Sequence, residues 1–168
     1  MKLNILEKNV KIKNMRKVSV IFIVLLISCT LKMDAIYPIH IYNESEVQYI
    51  GYYFATGGRY GSYYPDTLLP NNNTYVYNKN IKPKQHLQYD SWIKWDVTFK
   101  SLPKDTLSIF IFSSDTLNKY SWEEVRRDYK ILKRYDLSIQ DLELLDYKVY
   151  YPPIPAMSRM KMYPKYGR

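Results

Sequence analysis

The stretch TLSIFIF, residues 106–112, constrains the fold more than any other in the chain. In an extended backbone alternate side chains point to opposite faces, which sets Leu107, Ile109 and Ile111 against Phe110 and Phe112. Neither face can be left to water. The stretch therefore predicts a central strand covered on both sides, in a fold with a further layer over each face of its sheet. One cover follows at once. In SWEEVRRDYKILKRYDL the hydrophobic period changes from two to about 3.6, and Trp122, Val125, Tyr129 and Leu132 fall on one helical face. Ser121 with Glu124 makes a capping box, Glu123 and Glu124 suit the positive end of the helix dipole, and Lys130, Lys133 and Arg134 suit its negative end. A second box, Ser138 with Asp141, opens a shorter helix carrying Ile139, Leu142 and Leu145.

The remaining chain is mainly extended in pattern. IYPIHIYNES predicts a first strand ending at an Asn-Glu-Ser turn, and VQYIGYYFAT a second, the two expected as an antiparallel pair. GGRYGSYYPDTLLPNNNT is rich in Gly, Pro and Asn and predicts a long loop, the kind of segment that often carries binding. TYVYN and KQHLQYD predict further strands, with Pro83 at a turn or sheet edge between them. WIKWDVTF shows the cleanest alternation in the chain, with Ile93, Trp95, Val97 and Phe99 against Trp92, Lys94, Asp96 and Thr98, and predicts a half-buried strand. YKVYYP is expected as the last strand. After Tyr151 the chain turns Pro-containing and basic, so residues 152–168 are expected as a loosely held tail, solvated or close to acidic headgroups. The triplet DTL recurs at Asp66, Asp105 and Asp115, but its flanks do not match and Asp-Thr is ordinary turn chemistry. Helices do not alternate with strands, which argues against a pure parallel α/β fold. The expected class is α+β, mainly β: an antiparallel β-sandwich-like core over residues 37–151, with two short helices inserted before the last strand.

The N-terminus supplies an address. Val18 to Leu31 is apolar apart from Ser19, Ser28, Cys29 and Thr30 and is bracketed by Lys17 and Lys32; as a helix it reaches about 21 Å, short of a hydrocarbon core of about 30 Å. Lys2, Lys8, Lys11, Lys13, Arg16 and Lys17 precede it against Glu7 alone, the positive region of an export signal. Leu26, Ile27, Ser28 and Cys29 then resemble the lipobox of bacterial lipoproteins. That resemblance implies cleavage after residue 28 and palmitate-type acyl chains on Cys29, the one side chain nucleophilic enough to accept them. Each buried CH₂ contributes about 0.8 kcal/mol, so two or three chains anchor firmly. A buried core cysteine, an uncleaved anchor and a cleaved signal without lipid are the competing readings. MRKVSVIFIVLLISC would be a complete short signal, so translation from Met15 is an alternative to Met1.

On this reading residues 1–28 are a signal peptide and 29–36 a lipidated tether. The net charge of +9 then weakens: 25 Lys and Arg less six, against 16 Asp and Glu less one, leaves 19 against 15, or +4 over 140 residues. Nucleic-acid binding loses its electrostatic support. Acylation would also consume the only thiol, so the domain must be held by packing.

Over residues 60–153 the elements YPDT, DTLSIFIF, SWEE and ILKRYDLS occur in an order that resembles small uncharacterised lipoproteins of Gram-negative gut bacteria. The resemblance implies an outer-membrane lipoprotein with a mixed, β-rich fold and carries no established chemistry. Surface-displayed lipoproteins of such bacteria often carry acidic residues after the cysteine. Here CTLKMDA has one aspartate and a lysine, which makes the periplasmic face the expected location.

Catalytic machinery is hard to find in the pattern. The imidazoles His40 and His86 stand in strand-like segments outside any nucleophile motif, and no His/Cys/carboxylate spacing suits a metal. No cofactor is expected. Asp66, or Asp90 with Asp96 beside Trp92 and Trp95, could form a glycosidase-like acid pair, though 16 acids make such pairs easy to draw. GGRYG lacks the setting of a phosphate loop. The 19 tyrosines are the compositional oddity. As strand residues they pack across a sheet; as exposed rings, Tyr52, Tyr53, Tyr60, Tyr63 and Tyr64 with Asp66 would form a binding platform. The expected function is a membrane-anchored, non-catalytic envelope component that binds another envelope protein or serves structurally. A carbohydrate-binding module is the alternative, and a hydrolase a third.

Overall fold

A computed structural model describes residues 35–56, 64–71 and 76–167. Strands β1 (Tyr37–Asn43), β2 (Ile50–Ala55), β3 (Tyr77–Ile81) and β4 (Gln85–Ser91) come first, followed by helix α1 (Trp95–Ser101) and strand β5 (Leu107–Ser113). Helices α2 (Ser114–Lys119) and α3 (Trp122–Arg127), strand β6 (Lys133–Leu137), helix α4 (Ile139–Leu144), and strands β7 (Lys148–Tyr151) and β8 (Lys161–Tyr163) complete the order. The strands form two sheets, β4-β1-β7 and β3-β2-β5-β6-β8.

The apolar logic of TLSIFIF sets the layering. β5 lies at the centre of the larger sheet, antiparallel to β2 and β6, and every one of its residues is buried. Leu107, Ile109 and Ile111, with Tyr52, Phe54, Tyr135 and Leu137, pack against Ile39, Ile41 and Val149 of the smaller sheet. On the opposite face Phe110 and Phe112 join Tyr53, Leu69 and Val125, with Trp122 and Tyr129 at the margin. The fold is thus mixed, mostly strands in two sheets, and sandwich-like, with α3 covering the second face. Both capping boxes form: Ser121 Oγ accepts from Glu124 N while Ser121 N donates to Glu124 Oε2, and Ser138 and Asp141 do the same.

Several local expectations are corrected. WIKWDVTF is not a strand: β4 ends at Ser91 and α1 begins at Trp95. Trp95 and Phe99, four residues apart, share a face in both a strand and a helix, so the pattern could not separate the two periods. The structure buries those two and leaves Ile93 and Val97 exposed. Lys94 at the N-cap makes no side-chain cap, and no sequence signal marks the start. β1 and β2 are not a pair but enter different sheets. The Asn-Glu-Ser turn between them is real, and it is pinned by buried Asn43, whose Nδ2 donates to Gln48 O (2.6 Å) and Ile81 O (2.9 Å).

The helix after Ser121 is shorter than its periodicity predicts. It stops at Arg127, and Tyr129 takes a left-handed backbone with φ of 48°. Leu132 N then donates to Ile111 O and the chain becomes β6. The free edge of β5 needs a partner, and KRYDL supplies Tyr135 and Leu137 to the core, which outweighs local helical period. YKVYYP is a strand but not the last, and it runs parallel to β1. The end of the chain is not loosely held. Met157, Met160 and Met162 are buried, and β8 pairs with β6.

Candidate functional site

The outer face of the smaller sheet gathers residues that the sequence scatters. Because Tyr42 lies opposite His86 on β4 and opposite Tyr150 on β7, the three rings form one row across the strands. The next row is Gln88, His40 and Lys148. Tyr42 stacks on His86 with centroids 4.6 Å apart and on Tyr150 at 5.0 Å, and His40 meets His86 edge-on at 5.7 Å. Each ring therefore spends a π face on its neighbour. The row is partly open to solvent: His86 is exposed, and Tyr42 and Tyr150 are half-buried.

Polar groups border this row. Lys148 Nζ pairs with Asp146 at 2.6 Å; that hydrogen bond raises the lysine pKa and lowers the aspartate's. Gln88 Nε2 donates to Asp90 Oδ1. His40 donates its backbone N–H to Tyr147 O at 2.9 Å, while its Nδ1 is buried and finds no hydrogen-bond partner among the described residues. Among the described residues no three His, Cys, Asp or Glu side chains converge as metal ligands. An aromatic row flanked by amide, ammonium and carboxylate groups is suited to contact with a protein surface, where tyrosine is enriched.

A cleft of about 500 Å³ opens at the start of β1, lined by Tyr37, Trp95, Asp96, Glu143 and Tyr147 among others. Trp95 is buried in its wall and donates Nε1–H to Tyr37 O at 3.0 Å. Burial raises the Tyr147 pKa, and the charges of Glu143 and Asp96 add to the shift. Asp146 and Tyr147 both hold left-handed backbone, φ 51° and 56°, an uncommon state for an aromatic residue. That backbone turns the chain from α4 into β7 and places Tyr147 at the cleft.

No protein family, curated protein or solved structure matches the chain.

Two members of the tyrosine platform expected from the sequence, Tyr52 and Tyr53, are buried. Tyr52 is 1 % exposed and Tyr53 3 %, because β2 is an inner strand covered on both faces. Tyr60 and Tyr63 lie outside the described residues, as do Leu26, Ile27, Ser28 and Cys29. Tyr64 is half-buried and its hydroxyl accepts from Lys161 Nζ at 2.6 Å. Asp66 is exposed and caps its own turn by accepting from Leu68 N. Asp90 stands beside Gln88, and Asp96 lines the cleft. The rows around Tyr42 were missed because His40 and His86 meet only through strand register. Their signal was the outward alternation of His40 with Tyr42 and of His86 with Gln88.

Proposed function

We propose that the chain is a lipid-anchored, non-catalytic envelope lipoprotein that binds another envelope protein through the outer face of its smaller sheet. The observation that carries the binding half is the cross-strand row His86–Tyr42–Tyr150. Tyr42 is stacked between His86 and Tyr150, and the row lies beside Gln88 and Lys148 with His86 exposed and the two tyrosines half-buried. The anchoring half rests on the run ending in Leu26, Ile27, Ser28 and Cys29, which stands eight residues before β1 begins at Tyr37. Among the described residues no helix is long and apolar enough to cross a membrane; the proposed attachment is acylation of Cys29. The outer membrane, periplasmic face, is the proposed location.

Two experiments test the reading. Labelling with an alkyne fatty acid should mark the wild type and not Cys29→Ala. Crosslinking in whole cells should recover the same partner with wild type and Tyr52→Phe but lose it with Tyr42→Ala/His86→Ala. Retention of the partner by the double variant would refute the binding face.

A second reading is favoured by the cleft. Tyr37 and Tyr147 beside Asp96 and Glu143 combine aromatic walls with carboxylate acceptors, the composition that holds a sugar. A glycan array compared between wild type and Tyr147→Ala distinguishes it from protein binding.

A further inference from the structure

The surface beside this cleft carries apolar side chains that the fold leaves uncovered. Trp92 is 68 % exposed, Ile93 57 % and Val97 52 %, and Ile36 is also exposed. They are neighbours. Tyr37 pairs with Ser91, which brings Ile36 next to Trp92 at the end of the β1–β4 ladder. Ile36 borders the cleft walled by Trp95, and Ile93 and Val97 border a second hollow walled by the same indole. Around them Lys94, Lys100 and Lys104 are exposed, as are the acids Asp90, Asp96, Asp105 and Glu143.

This is also where the chain enters the domain. On the lipoprotein reading the acyl chains sit on Cys29, and only residues 30–35 separate it from Ile36. Fully extended, that span reaches at most about 24 Å, whereas a domain of this size has a radius of gyration of about 14 Å and a diameter well beyond the leash. The leash therefore favours orientations in which the Ile36 end faces the bilayer. An exposed indole with flanking aliphatics is what the headgroup region accommodates: the ring sits at the interface, and the ammonium groups of Lys94 and Lys100 reach toward phosphates.

We propose that Ile36, Trp92, Ile93 and Val97, rimmed by Lys94 and Lys100, form a membrane-contact surface that seats the domain on the phospholipid bilayer. This rests on acylation of Cys29. It assigns the outer sheet face and the bilayer contact to different parts of the domain.

The test uses the full acylated chain in vesicles of phosphatidylethanolamine and phosphatidylglycerol doped with brominated phosphatidylcholine. Of the three tryptophans, Trp95 is buried and Trp122 is half-buried with its Nε1–H on Pro70 O. Trp92 is thus the indole that bromine atoms near the headgroups can reach. Shallow bromines should quench the wild type, Trp92→Phe should lose most of that quenching, and Ile93→Glu/Val97→Glu should reduce it with the acyl label on Cys29 intact. A labelled protein whose Trp92 is quenched by acrylamide in the buffer and not by bromolipid overturns the contact while leaving the anchor standing. Absence of label on Cys29 overturns both.

Discussion

Asn43 offers a sharp test of how the two sheets are joined. It is fully buried at the end of β1; Nδ2 donates to Gln48 O and Ile81 O, and Oδ1 accepts from Ser45 N at 3.2 Å and Ser45 Oγ at 2.6 Å. Asn43→Ala removes all four bonds. Released from Oδ1, the single Ser45 Oγ–H can donate to Gln48 O, 2.8 Å away, so the main loss falls on buried Ile81 O and on the turn. At about 1 kcal/mol per neutral bond and 1–3 kcal/mol for a buried acceptor deprived of its donor, the expected destabilisation is about 2–4 kcal/mol. Asn43→Asp adds a pH signature. A carboxylate oxygen replacing Nδ2 would face two carbonyl oxygens, so the folded state must hold the acid protonated and its folded pKa rises above the unfolded value of about 3.9. Between those two values the unfolded state binds fewer protons than the folded one. Stability of the variant relative to wild type then falls as pH rises, by up to about 1.4 kcal/mol per pH unit. Urea unfolding followed by tryptophan emission, run in steps from about pH 5 to about pH 8, reads both effects. If Asn43→Ala lies within about 0.5 kcal/mol of wild type, or Asn43→Asp shows no pH slope relative to it, the clasp carries no weight.

Further perturbations probe the other layers. Phe112→Ala should cost about 3–5 kcal/mol and alter Trp122 emission, since the rings lie 5.8 Å apart; an unchanged emission would mean that α3 does not cover that face. Lys133 is buried, donates to Pro164 O at 3.0 Å, and has its pKa lowered by burial. The unfolded state therefore binds more protons between the folded pKa and the usual lysine value, and stability should rise with pH through that window, a slope that Lys133→Met removes in denaturation curves. Asp128 is held down to about 2 by hydrogen bonds from Arg127 and Lys130. Its share of stability is present above the ordinary aspartate range and is lost as pH falls toward about 2, which NMR titration of its carboxyl should show as a midpoint absent from Asp128→Asn. Ending the chain after Pro153 removes β8 and buried Met157, Met160 and Met162; the shortened protein should melt far lower and aggregate through the bared edge of β6, measurable by light scattering.

The elements most legible in the sequence were those in which one physical signal stood alone. TLSIFIF, apolar on both faces, could only be an inner strand, and the serine boxes at Ser121 and Ser138 marked helix starts by hydrogen-bond chemistry that needs no tertiary context. IGYYFA carried the same two-faced signal as TLSIFIF. Its tyrosines invited a surface reading, although adjacent residues on a strand covered from both sides must both be buried. Trp95 and Phe99 defeated the pattern because their spacing suits two periods, and KRYDL because sheet completion overrode a local helical tendency. The candidate site was the least legible part. Tyr42, His86 and Tyr150 become neighbours through pairing between distant strands, and no local pattern encodes that pairing.

The placement of β1 has a consequence for how the molecule comes together. It is the inner strand of its sheet, with an antiparallel neighbour early in the chain and a parallel one, β7, close to the other end. The β1–β4 ladder can form as soon as residue 91 is available, but the third strand arrives only after almost everything else. Such long-range parallel closure makes folding slow. It also leaves a partly built molecule with an unpaired flank on β1 until residues 148–151 dock. A chain emerging N-terminus first from a ribosome or a translocation channel would thus stay incompletely folded, and open to chaperones, until its last fifth was free.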